Sequence, residues 1–258
     1  MPWNAAPADL EAAPRPLVAI AHDYPRDHRI APHRHRRAQL VHAERGLMTV
    51  RAEAGAWVVP PGSAVWMPGG VEHWIDCAGV LAMRSVWLAP EAARGLPERC
   101  VVLRISALLR ALILRAVELP LLYDEAGPQG RLIAVLLDEI AASREAPLHL
   151  PMPRDARLGR VAEALLGDPA DARGVADWAR VAGASARTFE RLFRRDTGLS
   201  FGAWRGRARV LAALALLAEG RSVTATAMDL GYDSVSAFIA MFRRTLGETP
   251  GRYLGRPA

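Results

Sequence analysis

Lysine is absent from this chain: all 33 of its basic residues are arginine. Cysteine is nearly absent too. Cys77 and Cys100 are the only two, too few for a disulfide framework, which points to a reducing compartment. Long apolar runs are also missing. A membrane-spanning helix needs about 20 apolar residues, and the longest candidate, Leu108 to Leu122, is interrupted by Arg110, Arg115, Glu118 and Pro120. The N-terminal stretch sets Asp9 and Glu11 among prolines, without the basic and apolar regions of a secretory signal. These absences lead to the expectation of a soluble cytoplasmic protein with no membrane partner and with residues 1–16 as a loose tail.

What is present is unevenly spread. The 258 residues, 51% hydrophobic and 23% charged, are enough for two domains with separate cores. Residues 1–150 hold 16 arginines against 16 acidic residues, whereas residues 151–258 hold 17 against 11, which accounts for the whole net charge of +6. All seven histidines lie in the first part. A neutral, histidine-bearing half joined to a basic, histidine-free half suggests one domain that senses and one that meets a polyanion.

From Leu17 to Ile105 short apolar or alternating runs (Leu40-Val41, Leu47 to Val50, Trp57 to Val59, Val65 to Met67, Val80 to Leu88) are separated by Gly46, Gly55, Pro60-Pro61-Gly62, Gly69-Gly70 and Gly79. Such spacing predicts a small barrel or sandwich. Residues 106–145 change to helical periodicity, with Leu108, Leu109, Leu112, Ile113 and Val117 in register. Residues 146–153, rich in proline, read as a linker and a place for a hinge. Residues 154–258 read as helical throughout. The fold class expected is therefore α+β in two domains, a barrel with following helices and then an all-α domain.

The helical part contains one pattern written twice, 49 positions apart. Ser185 to Gly198 returns as Ser234 to Gly247, with Phe189 and Phe193 falling on Phe238 and Phe242. Each copy predicts a short helix, a glycine turn, a serine N-cap and a second helix, the arrangement that places a helix in a DNA groove. In the first copy Phe189, Leu192 and Phe193 share an inward face against Val175, Trp178 and Val181, leaving Arg187, Glu190, Arg191 and Arg194 outward. Arginine suits bidentate pairing with guanine, and glutamate accepts from cytosine. In the second copy the outward residues are Val235, Ser236, Ile239, Ala240 and Arg243, with little hydrogen-bonding capacity. One copy is expected to read sequence and the other to anchor. Between them a continuous helix from Phe201 to Glu219 carries Arg205, Arg207 and Arg209, which together with Arg194, Arg195, Arg243 and Arg244 are candidates for phosphate contact.

Asp177-Trp178-Ala179, Gly183-Ala-Ser185, Arg187-Thr-Phe189-Glu-Arg191-Leu-Phe193, Gly198-Leu-Ser-Phe201, Leu230-Gly231-Tyr232-Asp-Ser234 and Gly247-Glu-Thr-Pro250-Gly-Arg-Tyr253 resemble the AraC/XylS family of bacterial transcription regulators. The resemblance implies a DNA-binding domain with two helix-turn-helix units over about residues 155–254. It also implies promoter DNA as partner, with RNA polymerase as a further partner if the protein activates. Base contacts carried over from the family fall on Arg187, Glu190 and Arg191, then on Val235, Ser236 and Ala240. Ala240 stands where a polar or basic residue is common.

His33-Arg-His35, Gln39 and Gly46, followed by Gly62, Pro68-Gly69-Gly70 and His73, resemble the two motifs of a cupin barrel, with Gln39 in the place of the usual glutamate. His33 and His35 alternate onto one side of a strand, and His73 on a later strand converges with them inside a small barrel. Three imidazoles and an amide suit a divalent first-row metal. The alternative is a metal-free effector pocket formed by His33, His35, Gln39 and His73, with Trp57 and Trp66 as stacking surfaces. His22, His28, His42 and His149 read as incidental. The reading that results is a non-enzymatic, homodimeric regulator whose helices at 106–145 supply the dimer contact and whose barrel takes a small molecule or metal. A metal-dependent cupin enzyme with an attached DNA-binding domain is the alternative.

Overall fold

In the computed structural model the described residues are 7–146 and 148–254. They form two compact units. The first extends to His149 apart from Ala54–Ala56, and the second begins at Leu150 and takes in that tripeptide.

The first unit is an antiparallel β-structure. Its strands are β1 (Leu17–Tyr24), β2 (Arg29–His33), β3 (Ala38–Ala52), β4 (Gly55–Val59), β5 (Ser63–Met67), β6 (His73–Leu88), β7 (Val101–Arg104) and the short β8 (Glu145–Ala146). Neighbours run β1-β6-β3-β5-β7-β8, with β2 beside β6 and β4 beside β3. Two of the short runs expected from the sequence are continuous. β3 stays antiparallel to β6 from Ala38 opposite Leu88 to Ala52 opposite His73. Gly46 and Gly79 are therefore bends within long strands rather than separators. Register shifts fall between Ala43 and Leu47, and Gly46 adopts φ 81°. A Cβ at Gly46 would lie 2.2 Å from the Val80 carbonyl oxygen, so the bend admits no side chain there.

Two helices close this unit. α2 (Ala107–Ala116) starts at Ser106, whose hydroxyl accepts from the Leu109 N–H at 3.0 Å, and α3 (Pro128–Ala142) follows. The helical periodicity buries Leu109 and Ile113 of α2, with Ile133, Leu136 and Ile140 of α3, against Leu40, Trp66, Val86 and Leu103 of the strands. Leu108 and Val135 remain 52% and 44% exposed. A partly buried polar network reinforces the packing. Nδ1 of His42 donates to the Ser63 carbonyl at 2.9 Å, its Nε2 lies 3.3 Å from Glu44, and Glu44 also pairs with Arg110 of α2. His42 is thus a structural histidine and not an incidental one, and burial pushes its pKa down despite the neighbouring carboxylate.

Two further expectations need correction. The supposed tail holds a helix, α1 (Pro7–Ala12), with Leu10 and Ala13 buried against Val18, Ile20 and Trp87; residues 1–6 lie outside the described residues. Arg37, only 4% exposed, fixes this segment. Its guanidinium donates to the carbonyls of Ala13, Arg15 and Glu11. Arginine's fork of donors meets several carbonyl oxygens at once, and this offsets its burial. The supposed linker is not slack either. Ala146 pairs with Val102, the Leu148 carbonyl accepts from the Val58 N–H at 3.1 Å, and His149 stacks on Trp57 at 4.8 Å. β9 (His149–Pro151) continues the chain into the second unit; Pro147 lies outside the described residues. Leu148, 1% exposed, overrides the punctuation by proline.

The second unit is all helix: α4 (Ala156–Gly167), α5 (Val175–Val181), α6 (Ala186–Thr197), α7 (Phe201–Ala218), α8 (Val223–Asp229), α9 (Val235–Leu246) and α10 (Pro250–Leu254). The two copies of the repeat become α5–α6 and α8–α9. Serines 185, 200, 222 and 234 each cap the following helix through their hydroxyls. Phe189, Phe193, Phe201 and Trp204 interlock edge to face at 5.0–5.5 Å, while the Trp204 indole donates to the Pro151 carbonyl at 2.7 Å. Val181 departs from the expected core and is 56% exposed.

Replacing Arg37 with methionine should leave the carbonyls of residues 11–15 unmet and lower unfolding free energy by about 3 kcal/mol. Urea denaturation followed by tryptophan fluorescence would measure this; an unchanged midpoint would show that α1 is held by Leu10 alone.

Candidate functional site

Within the first unit, β2, the loop after it, β3 and β6 deliver His33, His35, Gln39 and His73, respectively, to one place. His35 therefore lies off the strand on which alternation with His33 predicts it. The three imidazoles lie with ring centroids 4.3–5.9 Å apart, and their ligand atoms all lie within 4.8 Å of one another. Each ring is oriented by its own backbone. Nδ1–H donates to a carbonyl two residues away, from His33 to Ala31 (2.8 Å), from His35 to Arg37 (2.6 Å) and from His73 to Val71 (2.9 Å). A neutral imidazole that donates through Nδ1 keeps its lone pair on Nε2, so the lone pairs of all three belong to Nε2. That second-shell arrangement is what metal-binding histidines need. The Nε2 of His73 is buried without a hydrogen-bond partner.

Gln39 completes the group. Its Oε1 lies 3.1 Å from His35 Nε2, and its Nε2 donates to Ser85 Oγ at 2.7 Å. Two acceptors thus face one another unless a cation lies between them or the amide is turned so that it donates to His35. The residues therefore fit a divalent ion with nitrogen and oxygen donors. An ion bonded at about 2.1 Å would draw the rings closer together. Burial lowers the pKa of His35 and lowers that of His73 to about 4, leaving the His73 lone pair free of a proton at neutral pH.

The tryptophans are placed otherwise than expected. Trp66 sits opposite Leu40 and faces α2 and α3, its indole donating to the Pro97 carbonyl at 2.7 Å. Trp57 is sealed against His149. Neither joins the histidines. Trp87, the cross-strand partner of Gln39, does, with its ring 4.3 Å from that of His35. Trp87 shares a face with Gln39 because the β3–β6 register sets the two opposite each other, and that register is not displayed by the sequence. His22 and His28 are not incidental, since they stack on either side of Tyr24 at 5.7 and 4.7 Å.

In the second unit Arg187 and Arg191 lie one turn apart on the exposed face of α6, and Arg194 and Arg195 are exposed beyond them, with Arg195 paired to Asp196 at 2.8 Å. Glu190 leaves this set. It is half-buried, and its carboxylate accepts from the Phe201 N–H at 3.3 Å, at the start of α7. On α9, Ser236, Ala240, Arg243 and Arg244 are exposed and Val235 is half-buried, and the first four line an open recess with Ile239, Gly247 and Thr249. The arginines of α7 behave differently. Arg205 donates to the carbonyls of Arg173 and Asp171, and Arg209 to those of Pro169 and Asp171. Two donor nitrogens of each are engaged within the protein, unlike the exposed Arg194 and Arg243. Arg207 is half-buried.

A family model described as an AraC-like ligand binding domain matches residues 15–137, and one described as a helix-turn-helix domain matches residues 178–256. The HTH-type transcriptional regulator NimR of Escherichia coli (strain K12) is 38% identical over 224 residues, covering 87% of this chain and 82% of NimR. The chain belongs to the AraC/XylS family. It is accordingly a DNA-binding transcription regulator with a ligand-binding domain. RipA of Corynebacterium glutamicum, another HTH-type transcriptional regulator, is 40% identical over 104 residues, 40% of this chain and 31% of RipA. Among solved structures, the DNA-binding domain of AdpA in complex with a target DNA is 35% identical, covering 37% of this chain and 86% of that chain with a TM-score of 0.36. No helix among the described residues of this AraC-type regulator is long and apolar enough to cross a membrane.

The depressed His73 pKa fixes a pH dependence. The unfolded chain takes up a proton near pH 6.5 while the folded chain resists until about pH 4, so stability is present above pH 6.5 and is lost as pH falls through that window. The slope is at most about 1.4 kcal/mol per pH unit. Unfolding midpoints of His73→Gln should depend less on pH between 6.5 and 4 than those of the parent; parallel curves would refute the assignment.

Proposed function

We propose that an effector entering among His33, His35, His73, Gln39, Ser85 and Trp87 controls how α6 and α9 engage promoter DNA. The observation that carries this reading is the convergence of three Nε2 lone pairs and one amide in the unit joined to a double helix-turn-helix. The effector is a divalent first-row cation, or a small molecule that donates hydrogen bonds to the same lone pairs. His33, His35, His73 and Gln39 would hold the cation, which would supply a fixed positive charge beside Trp87. We read the pocket as a receptor and not a catalytic centre, because an amide stands where the cupin pattern places its carboxylate and, among the described residues, no acidic side chain joins the cluster of potential metal ligands.

On the DNA side, Arg187 and Arg191 read bases. Arg194, Arg195, Arg243 and Arg244 meet phosphates, and Val235, Ser236 and Ala240 supply a close-fitting anchor with little direct readout. The exposed Leu108 and Val135 on α2 and α3 support pairing of two copies through these helices, and two copies suit paired half-sites. If the regulator activates, RNA polymerase is its further partner, and the cytoplasm is where it acts.

Titration with zinc or nickel should change Trp87 fluorescence in the parent protein and leave His35→Ala and His73→Ala silent. A metal-independent parent spectrum would leave the small-molecule effector as the only version of the reading. For DNA selected by the full chain from a random duplex pool, Arg191→Ala should weaken binding by about 1–3 kcal/mol and relax discrimination at the bases it touches. Ser236→Ala should change affinity by less than about threefold. Equal loss of discrimination in the two variants would overturn the division into reader and anchor.

A further inference from the structure

Arg205 and Arg209 lie one turn apart on α7, and the sequence suggests two more phosphate contacts. The structure turns them inward, onto the segment 168–174 that joins α4 to α5. Arg205 donates through Nη1 to the Arg173 carbonyl at 2.7 Å and through Nη2 to that of Asp171. Arg209 donates through Nε to the Pro169 carbonyl at 2.7 Å and through Nη2 to that of Asp171 at 3.2 Å. Two guanidinium groups thus bind three alternate carbonyls of irregular backbone, at residues 169, 171 and 173, a geometry that a single-point cation could not reproduce.

The segment they hold is itself stiff. The Asp171 carboxylate accepts from the Arg173 N–H at 2.7 Å and from its guanidinium at 2.9 and 2.7 Å. The Arg173 guanidinium then lies over the Trp178 ring at 3.8 Å. Trp178 is the buried centre of α5, the helix that supports α6. From the other side, the same segment abuts the turn between α8 and α9. Gly231, at φ +68°, comes so close to Ala170 that an added Cβ would lie 2.9 Å from its carbonyl oxygen, and the Arg209 guanidinium carbon lies 5.5 Å from the Tyr232 ring centroid. One side therefore leads to the first helix-turn-helix and the other to the second, with Arg209 touching both.

We propose that Arg209, assisted by Arg205, is a positioning residue. It locks segment 168–174 between the two helix-turn-helix units and so fixes the distance between the two DNA segments that α6 and α9 meet. This rests on the reading that both helices engage the duplex. A role in fold stability alone would cost affinity for any DNA equally. A positioning role costs mainly the coupling between the two segments, and it loosens their spacing.

The test is selection by the full-length chain from a pool of random-sequence duplexes, followed by affinity measurement on duplexes carrying both enriched blocks or only one. The parent should enrich a strong block under α6 and a weaker, thymine-rich block where the apolar face of α9 packs on methyl groups, at one spacing. Arg209→Met, which keeps the apolar stem and loses the donors, should enrich the same blocks at scattered spacings. It should bind the two-block duplex about tenfold or more weakly, with single-block affinity changed less than about threefold. Gly231→Ala leaves every arginine in place and presses on the Ala170 carbonyl, so it should broaden the spacing in the same way even if Arg209→Met fails to fold. Retention of one fixed spacing in both variants overturns the proposal, as does equal loss on one-block and two-block duplexes alongside a lowered melting midpoint. If the parent enriches only a single block, the two-helix reading beneath the proposal is at fault instead.

Discussion

Irregular backbone must have its carbonyl oxygens met, and in both units of this regulator arginine meets them from the inside. Arg37 gathers the carbonyls of residues 11–15 in the first unit, and Arg205 with Arg209 gathers those of residues 169–173 in the second. Each clamp orders a segment that regular secondary structure leaves unsupported. The first holds α1 against Val18, Ile20 and Trp87, the tryptophan that also contacts His35. The second lies between the two helix pairs. Remove the guanidinium and the cost is the desolvated carbonyls left behind as well as the bonds lost.

The pocket and the DNA surface achieve order by opposite means. In the pocket, the backbone orients the side chains: three carbonyls, each two residues from its histidine, turn Nδ1 outward and leave Nε2 for a ligand. In the second unit, side chains orient the backbone, through serine caps, the interlocked Phe189, Phe193, Phe201 and Trp204 cluster, and the arginine clamp. The two helix-turn-helix copies share buried phenylalanines at equivalent positions, yet α6 carries Arg187 and Arg191 outward where α9 carries Ser236 and Ala240. The copies are alike where they are buried and differ where they face outward.

Period and spacing made the main lines readable in the sequence. The 49-residue repeat placed α5–α6 and α8–α9, and the spacing of His33, His35 and His73 pointed to the pocket, although His35 stands in the loop after β2 and not on one strand with His33. What stayed hidden has a common physical cause: the sequence shows residue types, whereas partners come from tertiary register. Nothing local separates Arg209, spent on carbonyls, from Arg194, exposed to solvent. Glu190 reads as an outward acceptor until the start of α7 arrives to claim it. Trp66 and Trp87 look interchangeable until the pairing of Leu40 with Trp66 and of Gln39 with Trp87 sends them to opposite faces. In the N-terminal stretch and the segment 146–153, single buried leucines, Leu10 and Leu148, outweigh the proline content that makes both read as loose.

A basic surface made only of arginine also has a consequence for control. A guanidinium keeps its charge at every pH a cell reaches, and a chain without lysine offers no side-chain amine for acetylation to neutralise. The arginine part of its attraction to DNA is therefore beyond the reach of lysine acetylation. Counterions still screen it, and a signal that leaves charge alone has to release this regulator from a promoter through its shape.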